Sequence, residues 1–193
     1  MQSQIEKIIQ ESIRVKISLL DNSDLIQTLE QLSKLCIQRY MQKKKLLFCG
    51  NGGSAADAQH ISAELSGRFY IDRPGLFAEA LHVNSSFVTA VANDYGFDSV
   101  YSRMVEAAGV EGDVLFAIST SGNSPNILNA AIKAKDKGMT VVGMTGASGG
   151  KLKEHVDFLL NVPSENTPRI QESHILMGHI LCELIEQELF GSK

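Results

Sequence analysis

Residues 48–65 read FCGNGGSAADAQHISAEL. An apolar stretch runs into a turn with three glycines among five residues, Gly50 to Ser54, and a helical segment follows at once. Glycines let the backbone approach a ligand closely, and a helix N-terminus attracts an anion. A strand, a glycine turn and a helix therefore predict a phosphate site. That site alone does not need His60 and Glu64, which lie four positions apart on one face of the helix.

The glycine turn differs from the common nucleotide-binding turns. Gly50, Gly52 and Gly53 have the wrong spacing for the GxGxxG dinucleotide fingerprint. A GxxxxGK[ST] sequence is also absent from the chain. Neither motif supports a nucleotide as the ligand.

The segments around this stretch alternate between strand and helix. Strands are predicted at 46–49, 77–83, 114–118, 139–144 and 158–162, and helices at 54–66, 86–92, 97–108, 126–137 and 169–190. Gly138 follows the basic last turn of one helix, where a C-terminal cap is expected. This alternation predicts a three-layer α/β/α sandwich around a parallel sheet of five strands.

Two amphipathic helices precede the alternating part, over residues 5–17 and 24–41. The first repeats isoleucine at helical spacing, and we expect residues 1–41 to pack on a partner subunit or across the domain. The second places Leu25, Leu29, Leu32 and Cys36 on its inner face. We assign the whole chain, 1–193, to a single domain, because its length suits one domain with an ample core.

Composition excludes several classes of protein. The net charge is -4, so no basic field attracts nucleic acid, and the apolar runs are shorter than a membrane span. The first twenty residues mix acids and bases and have no apolar signal region. The three cysteines form no CxxC pair and are interpreted as reduced thiols. We expect a cytoplasmic protein.

A second unusual loop, STSGNSPN, occupies residues 119–126 after the best-defined strand. An ordinary N-cap by Ser124 would need one hydroxyl, but the loop has four: Ser119, Thr120, Ser121 and Ser124. Hydroxyls beside a helix N-terminus favour a phosphate monoester, and Pro125 suits the first helical turn. The loop contains no lysine, which argues against a nucleoside triphosphate. By itself, a third stretch, Asn93-Asp94, is simply a turn.

The last helix offers partners for His60 and Glu64. Gln171 and His179 are eight residues apart and lie on the same side of that helix. A lone histidine such as His174 is usually packed or solvated, and spacing alone does not make it a ligand. His60, Glu64, Gln171 and His179 together supply four donors that suit one divalent metal ion, for which we predict zinc.

The chain resembles the sugar isomerase (SIS) domain family, and within it the phosphoheptose isomerases. Four motifs carry the resemblance in order: GNGGSAADAQHISAEL, AVANDYGFD, AISTSGNSPN and TPRIQESHILMGHI. It implies a five-stranded parallel sheet between helices and a homotetramer with active sites at subunit interfaces. It also implies conversion of D-sedoheptulose 7-phosphate to D-glycero-D-manno-heptose 7-phosphate, the first step toward nucleotide-activated heptose for bacterial lipopolysaccharide or capsule.

The resemblance also implies residue roles, with no departure at the matching positions. Substrate contacts fall to Asn51, Gly52, Gly53, Glu64, Asn93, Asp94 and Gln171, and phosphate contacts to Ser119, Thr120, Ser121 and Ser124. The zinc ligands, with one ion per subunit, are His60, Glu64, Gln171 and His179. Glu64 and His179 match the acid/base pair. These two can move a proton between C1 and C2 through an enediol.

Three alternatives belong to the same family. A non-catalytic SIS protein that binds the replication initiator or a sugar phosphate would lack the acid/base pair, whereas Glu64 and His179 are both present. A transcriptional sugar-phosphate sensor usually carries a DNA-binding helical domain, and the helices before the first strand have no basic recognition face. An isomerase for a pentose or hexose phosphate shares the same site motifs and stays open.

Overall fold

The computed structural model describes residues 1–191. The helices in chain order are α1 (Gln2–Leu20), α2 (Ser23–Met41), α3 (Gly53–Ser66), α4 (Ser85–Tyr95), α5 (Val100–Ala108), α6 (Pro125–Asp136) and α7 (Thr167–Phe190). The strands are β1 (Leu46–Gly50), β2 (Ala78–Ala80), β3 (Val114–Ile118), β4 (Thr140–Thr145) and β5 (Phe158–Asn161). Among the described helices, none is both long and apolar enough to cross a membrane.

The five strands form one parallel sheet in the order β2-β1-β3-β4-β5. The chain therefore moves outward from β1 to β2 and then continues from β3 in the opposite direction. Ligands in open α/β sheets bind beyond the carboxyl ends of the strands at such a reversal. In the register of β1 and β3, Gly50 lies opposite Ile118. Asn51 and Ser119, which follow these two residues, therefore leave the sheet side by side.

The sheet is buried on both faces, as the predicted sandwich requires. Leu46 and Phe48 point to one face, where α2, α3 and α7 pack, and Phe48 stacks on Phe116 with ring centroids 4.7 Å apart. Leu47 and Cys49 point to the other face, which α4, α5 and α6 cover. Helices that follow β1 and β3 must lie on opposite faces, since right-handed crossovers run in opposite directions along the sheet.

The prediction of a five-stranded parallel sheet between helices is confirmed, and the differences lie at element ends. The second strand was predicted at 77–83 but is three residues long, because Val83 already closes a turn onto Ala80. The predicted helix 97–108 is a short 3₁₀ segment followed by α5. Helix α4 was predicted to end at residue 92 but continues to Tyr95, so Asn93 and Asp94 lie in its last turn rather than in a turn after it.

The two N-terminal helices behave differently. The predicted inner face of α2 is buried. Helix α1 packs on α7, where Arg169 donates to the Ile8 carbonyl and Ser12 donates to Glu172. Its other side carries isoleucines that are about half exposed in the single chain, namely Ile5, Ile8, Ile9, Ile13 and Ile17. An apolar stripe of this kind is typical of a surface that another chain covers.

Candidate functional site

The glycine turn after β1 has the open backbone that its sequence predicts. Gly52 has φ +56°, a conformation that few residues other than glycine adopt. A Cβ at Gly50 would lie 2.5 Å from the Ser54 carbonyl oxygen, so this position also requires glycine. The hydrogen bonds of the described residues leave the N–H groups of Asn51, Gly52 and Gly53 without a protein acceptor. These three donors lie at the N-terminus of α3.

Gln171 lies against this turn. A Cβ added to Gly53 would be 2.3 Å from Gln171 Nε2, so the glycine makes room for the amide. The glycine turn and the first part of α7 are therefore in direct contact. None of the hydrogen bonds found among the described residues joins Gln171 to His60, Glu64 or His179.

The serine loop after β3 does not use its N-cap hydroxyl for helix capping. Ser124 is the N-cap residue of α6, but its hydroxyl makes no cap bond and instead pairs with the Ser119 hydroxyl at 3.1 Å. Ser121 Oγ accepts from the Asn123 N–H, and Gly122 adopts φ +65° to complete the turn. In the part of the chain that the structure describes, the N–H groups of Ser121 and Ser124 donate to no protein acceptor.

The two loops and α7 enclose one cavity of about 230 Å³. Its lining includes five predicted site residues, Asn51, Ser119, Thr120, Ser124 and Gln171, and also Ser54. Among residues 1–191, no positively charged side chain lines it, so an anion there would be held by hydroxyls, backbone N–H groups and two helix N-termini. A second polar cavity shares Thr120 and contains Ser121.

Two side chains hold the loops together. The Asn51 amide donates to Asn126 Oδ1 at 2.9 Å, and the Asn126 amide donates back to Asn51 Oδ1 at 2.9 Å. Asn126 is buried at the start of α6, and Asn51 is half-buried in the glycine turn. The sequence analysis missed Asn126, because a polar residue in the first turn of a helix gives no signal of a long-range partner.

His60, Glu64 and His179 form a second centre further along α3 and α7. His60 Nε2 lies 3.2 Å from Glu64 Oε1 and 3.2 Å from His179 Nε2. One ligand atom from each of the three residues can be chosen so that all lie within 4.8 Å of one another. The structure thus brings three of the four predicted zinc ligands together, and Gln171 lies two helical turns earlier on α7.

The chemistry of this cluster fits a divalent metal ion. Nitrogen ligands about 2.0–2.1 Å from a tetrahedral zinc ion are about 3.3 Å apart, close to the 3.2 Å between His60 and His179. Both rings approach through Nε2, so each could offer one nitrogen lone pair to an ion between them. Two imidazoles and a carboxylate form a donor set typical of zinc, with room for a further ligand.

The cavity and the cluster are two ends of one helix pair. Gly53 contacts Gln171 at one end, and His60 contacts His179 at the other, so α3 and α7 run in the same direction. Next to the cluster, a Cβ on Gly178 would lie 2.5 Å from Ile61, so glycine permits close helix packing. Seven and eight residues separate the two ends along the helices, which corresponds to about 10–12 Å at 1.5 Å per residue.

Asn93 and Asp94 lie apart from these contacts. They are exposed in the last turn of α4, and Asn93 donates to Asp94 Oδ1 at 2.8 Å. Of the hydrogen bonds among the described residues, none joins either residue to another predicted site residue. Their assignment to substrate therefore stays a prediction. His174, by contrast, is in the core, where burial lowers its pKa to about 4 and its ring Nε2–H donates to the Thr145 carbonyl at 3.1 Å.

A buried ion pair fixes the far end of the helix pair. Glu186 accepts hydrogen bonds from three consecutive backbone N–H groups, at Phe69, Tyr70 and Ile71, and from Arg73 Nε at 2.9 Å. Both side chains of the pair are 1% exposed. Burial alone would raise the pKa of the Glu186 carboxyl, but these four donors outweigh it, and the pKa lies below its ordinary value.

Arg73 also connects the ion pair to the metal-type cluster, which consists of His60, Glu64 and His179. Its guanidinium donates to the carbonyls of Glu64 and Leu65, in the last turn of α3. The segment that Glu186 holds also contains Phe69, whose ring centroid lies 5.7 Å from that of His179. The ion pair therefore fixes the position of α3 relative to α7 beside the three donor residues. No sequence motif marks it, because its members are 113 residues apart.

Comparison with known proteins identifies the family of the chain. The SIS domain family matches residues 14–146, and the chain belongs to this family. The phosphoheptose isomerase of Sulfurimonas denitrificans is 51% identical over 191 residues, which is 99% of this chain and 98% of that protein. The phosphoheptose isomerase of Aneurinibacillus thermoaerophilus is 49% identical over 193 residues, covering 100% of this chain and 98% of the relative.

A solved structure agrees with these relatives. The phosphoheptose isomerase of Neisseria gonorrhoeae superposes with a TM-score of 0.90 at 44% identity, covering 96% of this chain and 98% of that one. The resemblance drawn from the four sequence motifs is confirmed by these comparisons. They also confirm the prediction that the chain is an isomerase.

We predict that Glu186→Gln destabilises the fold by about 3–5 kcal/mol near neutral pH, because Arg73 is left buried without a counter-charge. The carboxylate contributes fully above about pH 4.5, the ordinary pKa of glutamate, and its contribution is lost as the pH falls further. Denaturant unfolding from pH 7 to pH 3 should show a smaller acid-induced loss in the variant than in the wild type. The exposed Glu188→Gln serves as the control and should match the wild type throughout.

We predict that the cluster binds zinc with Gln171 as a further ligand, and that Gly53→Ala weakens this binding by about 10- to 100-fold because the new methyl group displaces the Gln171 amide. Stability should change by less than about 1 kcal/mol, since the contact is with the end of a flexible side chain. Competition with a chromophoric chelator measures the affinity. In a Gln171→Ala background the Gly53→Ala substitution should have no further effect. Equal zinc affinity in Gly53→Ala and wild type would remove Gln171 from the metal site.

Proposed function

We propose that this isomerase converts D-sedoheptulose 7-phosphate to D-glycero-D-manno-heptose 7-phosphate. The observation that carries the proposal is the pairing of a phosphate-type cavity with an acid/base cluster about 10–12 Å further along α3 and α7. An extended seven-carbon sugar phosphate has a suitable length to place its phosphate at one end and C1 and C2 at the other. Relatives that match this chain over nearly its whole length are named phosphoheptose isomerases.

The phosphate end is assigned to Ser119, Thr120, Ser121 and Ser124. Their hydroxyls and the free N–H groups of the loop can donate to phosphate oxygens, while the N-termini of α3 and α6 favour the negative charge. This end binds without a lysine or arginine from the cavity lining. Its contribution is to hold the sugar in a fixed orientation relative to the reacting carbons.

The reacting end is assigned to Glu64 and His179. Glu64 removes the proton from the carbon beside the carbonyl and returns it to the neighbouring carbon. His179 transfers a proton at the carbonyl and hydroxyl oxygens, so the enediol forms and collapses without free ions in water. Both residues are partly exposed on one side of the helix pair, where a substrate can reach them.

We further propose that His60, Glu64, Gln171 and His179 hold one zinc ion per subunit. A bound divalent ion would polarise the substrate carbonyl and stabilise negative charge on the enediolate oxygens. Glu64 would then serve both as a ligand and as the base, and these roles would alternate during turnover. The proposal rests on the donor geometry of His60, Glu64 and His179, while the assignment of Gln171 as the fourth ligand rests on the family resemblance.

The setting follows from the proposed reaction. The product would be the precursor of nucleotide-activated heptose for lipopolysaccharide or capsule, and we place the enzyme in the cytoplasm. We propose a homotetramer with sites at subunit interfaces, in which residues 1–41 pack against other subunits. The half-exposed isoleucine stripe of α1 supports this assembly.

The deciding experiment is turnover of sedoheptulose 7-phosphate by the purified chain. We expect heptose 7-phosphate to form, to disappear after chelation and to return with zinc. Glu64→Gln should abolish turnover while inorganic phosphate still binds, because the cavity lies about three helical turns of α3 from the lost carboxylate. Turnover that is unchanged after chelation would contradict the metal role. Phosphate binding without turnover by the wild type would contradict the enzyme and favour a binding protein.

For the assembly, we predict that Ile9→Glu combined with Ile13→Glu lowers the molecular mass in solution toward that of a monomer. Charged groups on the stripe are costly to bury without partners. Sedimentation velocity measures the change, and Gln10→Glu, at an exposed polar position of the same helix, is the matched control. An unchanged tetramer in the double variant would place the interface elsewhere.

A further inference from the structure

The reciprocal amide pair between Asn51 and Asn126 lies at the point where the glycine turn and the serine loop leave the sheet side by side. Each amide donates once and accepts once, with both distances at 2.9 Å. Asn126 is 2% exposed, so breaking the pair would leave buried polar atoms without partners. Through these two side-chain hydrogen bonds, the pair joins the glycine turn to the serine loop.

This pair changes what Asn51 can offer a ligand. Its side-chain amide is directed at Asn126, so the groups of the glycine turn that face an anion are the backbone N–H groups of residues 51–53. Backbone donors have no freedom to adjust by rotating a side chain. Their distance from the hydroxyls of the serine loop therefore depends on how the two loops are joined.

A further contact holds the other side of the same turn. The hydroxyl of Tyr101, a buried residue of α5, donates to the carbonyl of Gly50. The turn is thus held at Gly50 from one face of the sheet and at Asn51 by α6. The cavity beside the turn is on the side lined by Ser119, Ser124 and Gln171.

We propose that Asn126 is a positioning residue that sets the spacing between the glycine-turn N–H groups and the serine-loop hydroxyls, so that both sets of donors reach one phosphate group. The inference rests on the proposed function for its substrate, but the spacing itself concerns any phosphate in the cavity. Asn126 does not touch the ligand. It acts through Asn51 and through the first turn of α6, which also carries Ser124 at its N-cap.

The test is Asn126→Asp, which keeps the size and shape of the side chain. A carboxylate has no N–H to return to Asn51 Oδ1, so one of the two hydrogen bonds is replaced by two facing oxygens. We expect the dissociation constant of inorganic phosphate to rise about tenfold, measured by calorimetry on the full chain. KM for the sugar phosphate should rise by a similar factor with a smaller change in kcat, because the acid/base cluster is not altered.

Two further variants separate positioning from general stability. Asn129→Ala removes an exposed asparagine of α6 that bonds the Asp98 carbonyl, and it should leave phosphate affinity unchanged. Asn51→Ala with Asn126→Ala should weaken phosphate binding no more than either single change, because each already breaks the pair. If Asn126→Asp does not fold, Asn51→Asp breaks the same pair from its half-buried side and gives the same measurement.

The outcomes are distinct from those for the proposed reaction. Phosphate affinity unchanged in Asn126→Asp, or strictly additive effects of the two alanine variants, would overturn the positioning role. Weakened phosphate binding with unchanged zinc affinity would support it. Weakened phosphate binding in a protein whose wild type produces no heptose phosphate would support the positioning role and overturn only the assigned substrate.

Discussion

The strand order of the sheet reverses between β1 and β3, because β2 lies on one side of this pair and β4 and β5 lie on the other. The position of the site depends on this reversal. Gly50 and Ile118 are neighbours in the register, so the glycine turn and the serine loop must leave the sheet together. The helices that follow them pack on opposite faces, which opens a crevice between their N-termini. The cavity for an anion is thus a consequence of strand order. The two loops themselves need only to supply hydrogen-bond donors and small residues.

The second requirement is a rigid contact between α3 and α7. Small residues, Gly53 and Gly178, bring the helices close at two points, and the Arg73–Glu186 pair fixes them at a third. The three donor residues of the metal-type cluster come from these two helices, so their geometry is only as firm as this contact. A buried ion pair contributes little net stability compared with apolar packing, but breaking it is costly. Its effect here is to define one arrangement of the helices.

The parts of the structure that local sequence could predict are those with local causes. The glycine turn and the serine loop were recognised because their glycines and hydroxyls have local causes in the backbone conformation and in the start of a helix. His60, Glu64 and His179 were grouped by helical spacing. Asn126, Arg73 and Glu186 were missed, because each is defined by a partner far away in the chain. The second strand was drawn too long, since apolar residues continue past the point where its ladder stops. Gln171 was placed on the correct side of α7, but its contact with Gly53 depends on how two helices pack.

Helix α7 acts as the common support for all of these contacts, with Gln171 at the cavity, His179 at the cluster and Glu186 at the ion pair. One inserted or deleted residue between them would rotate everything beyond it by about 100° and shift it by about 1.5 Å. Such a change would disconnect at least one of the three positions. The interval from 171 to 186 therefore has a fixed length. Changes in chain length must be confined to segments outside these contacts.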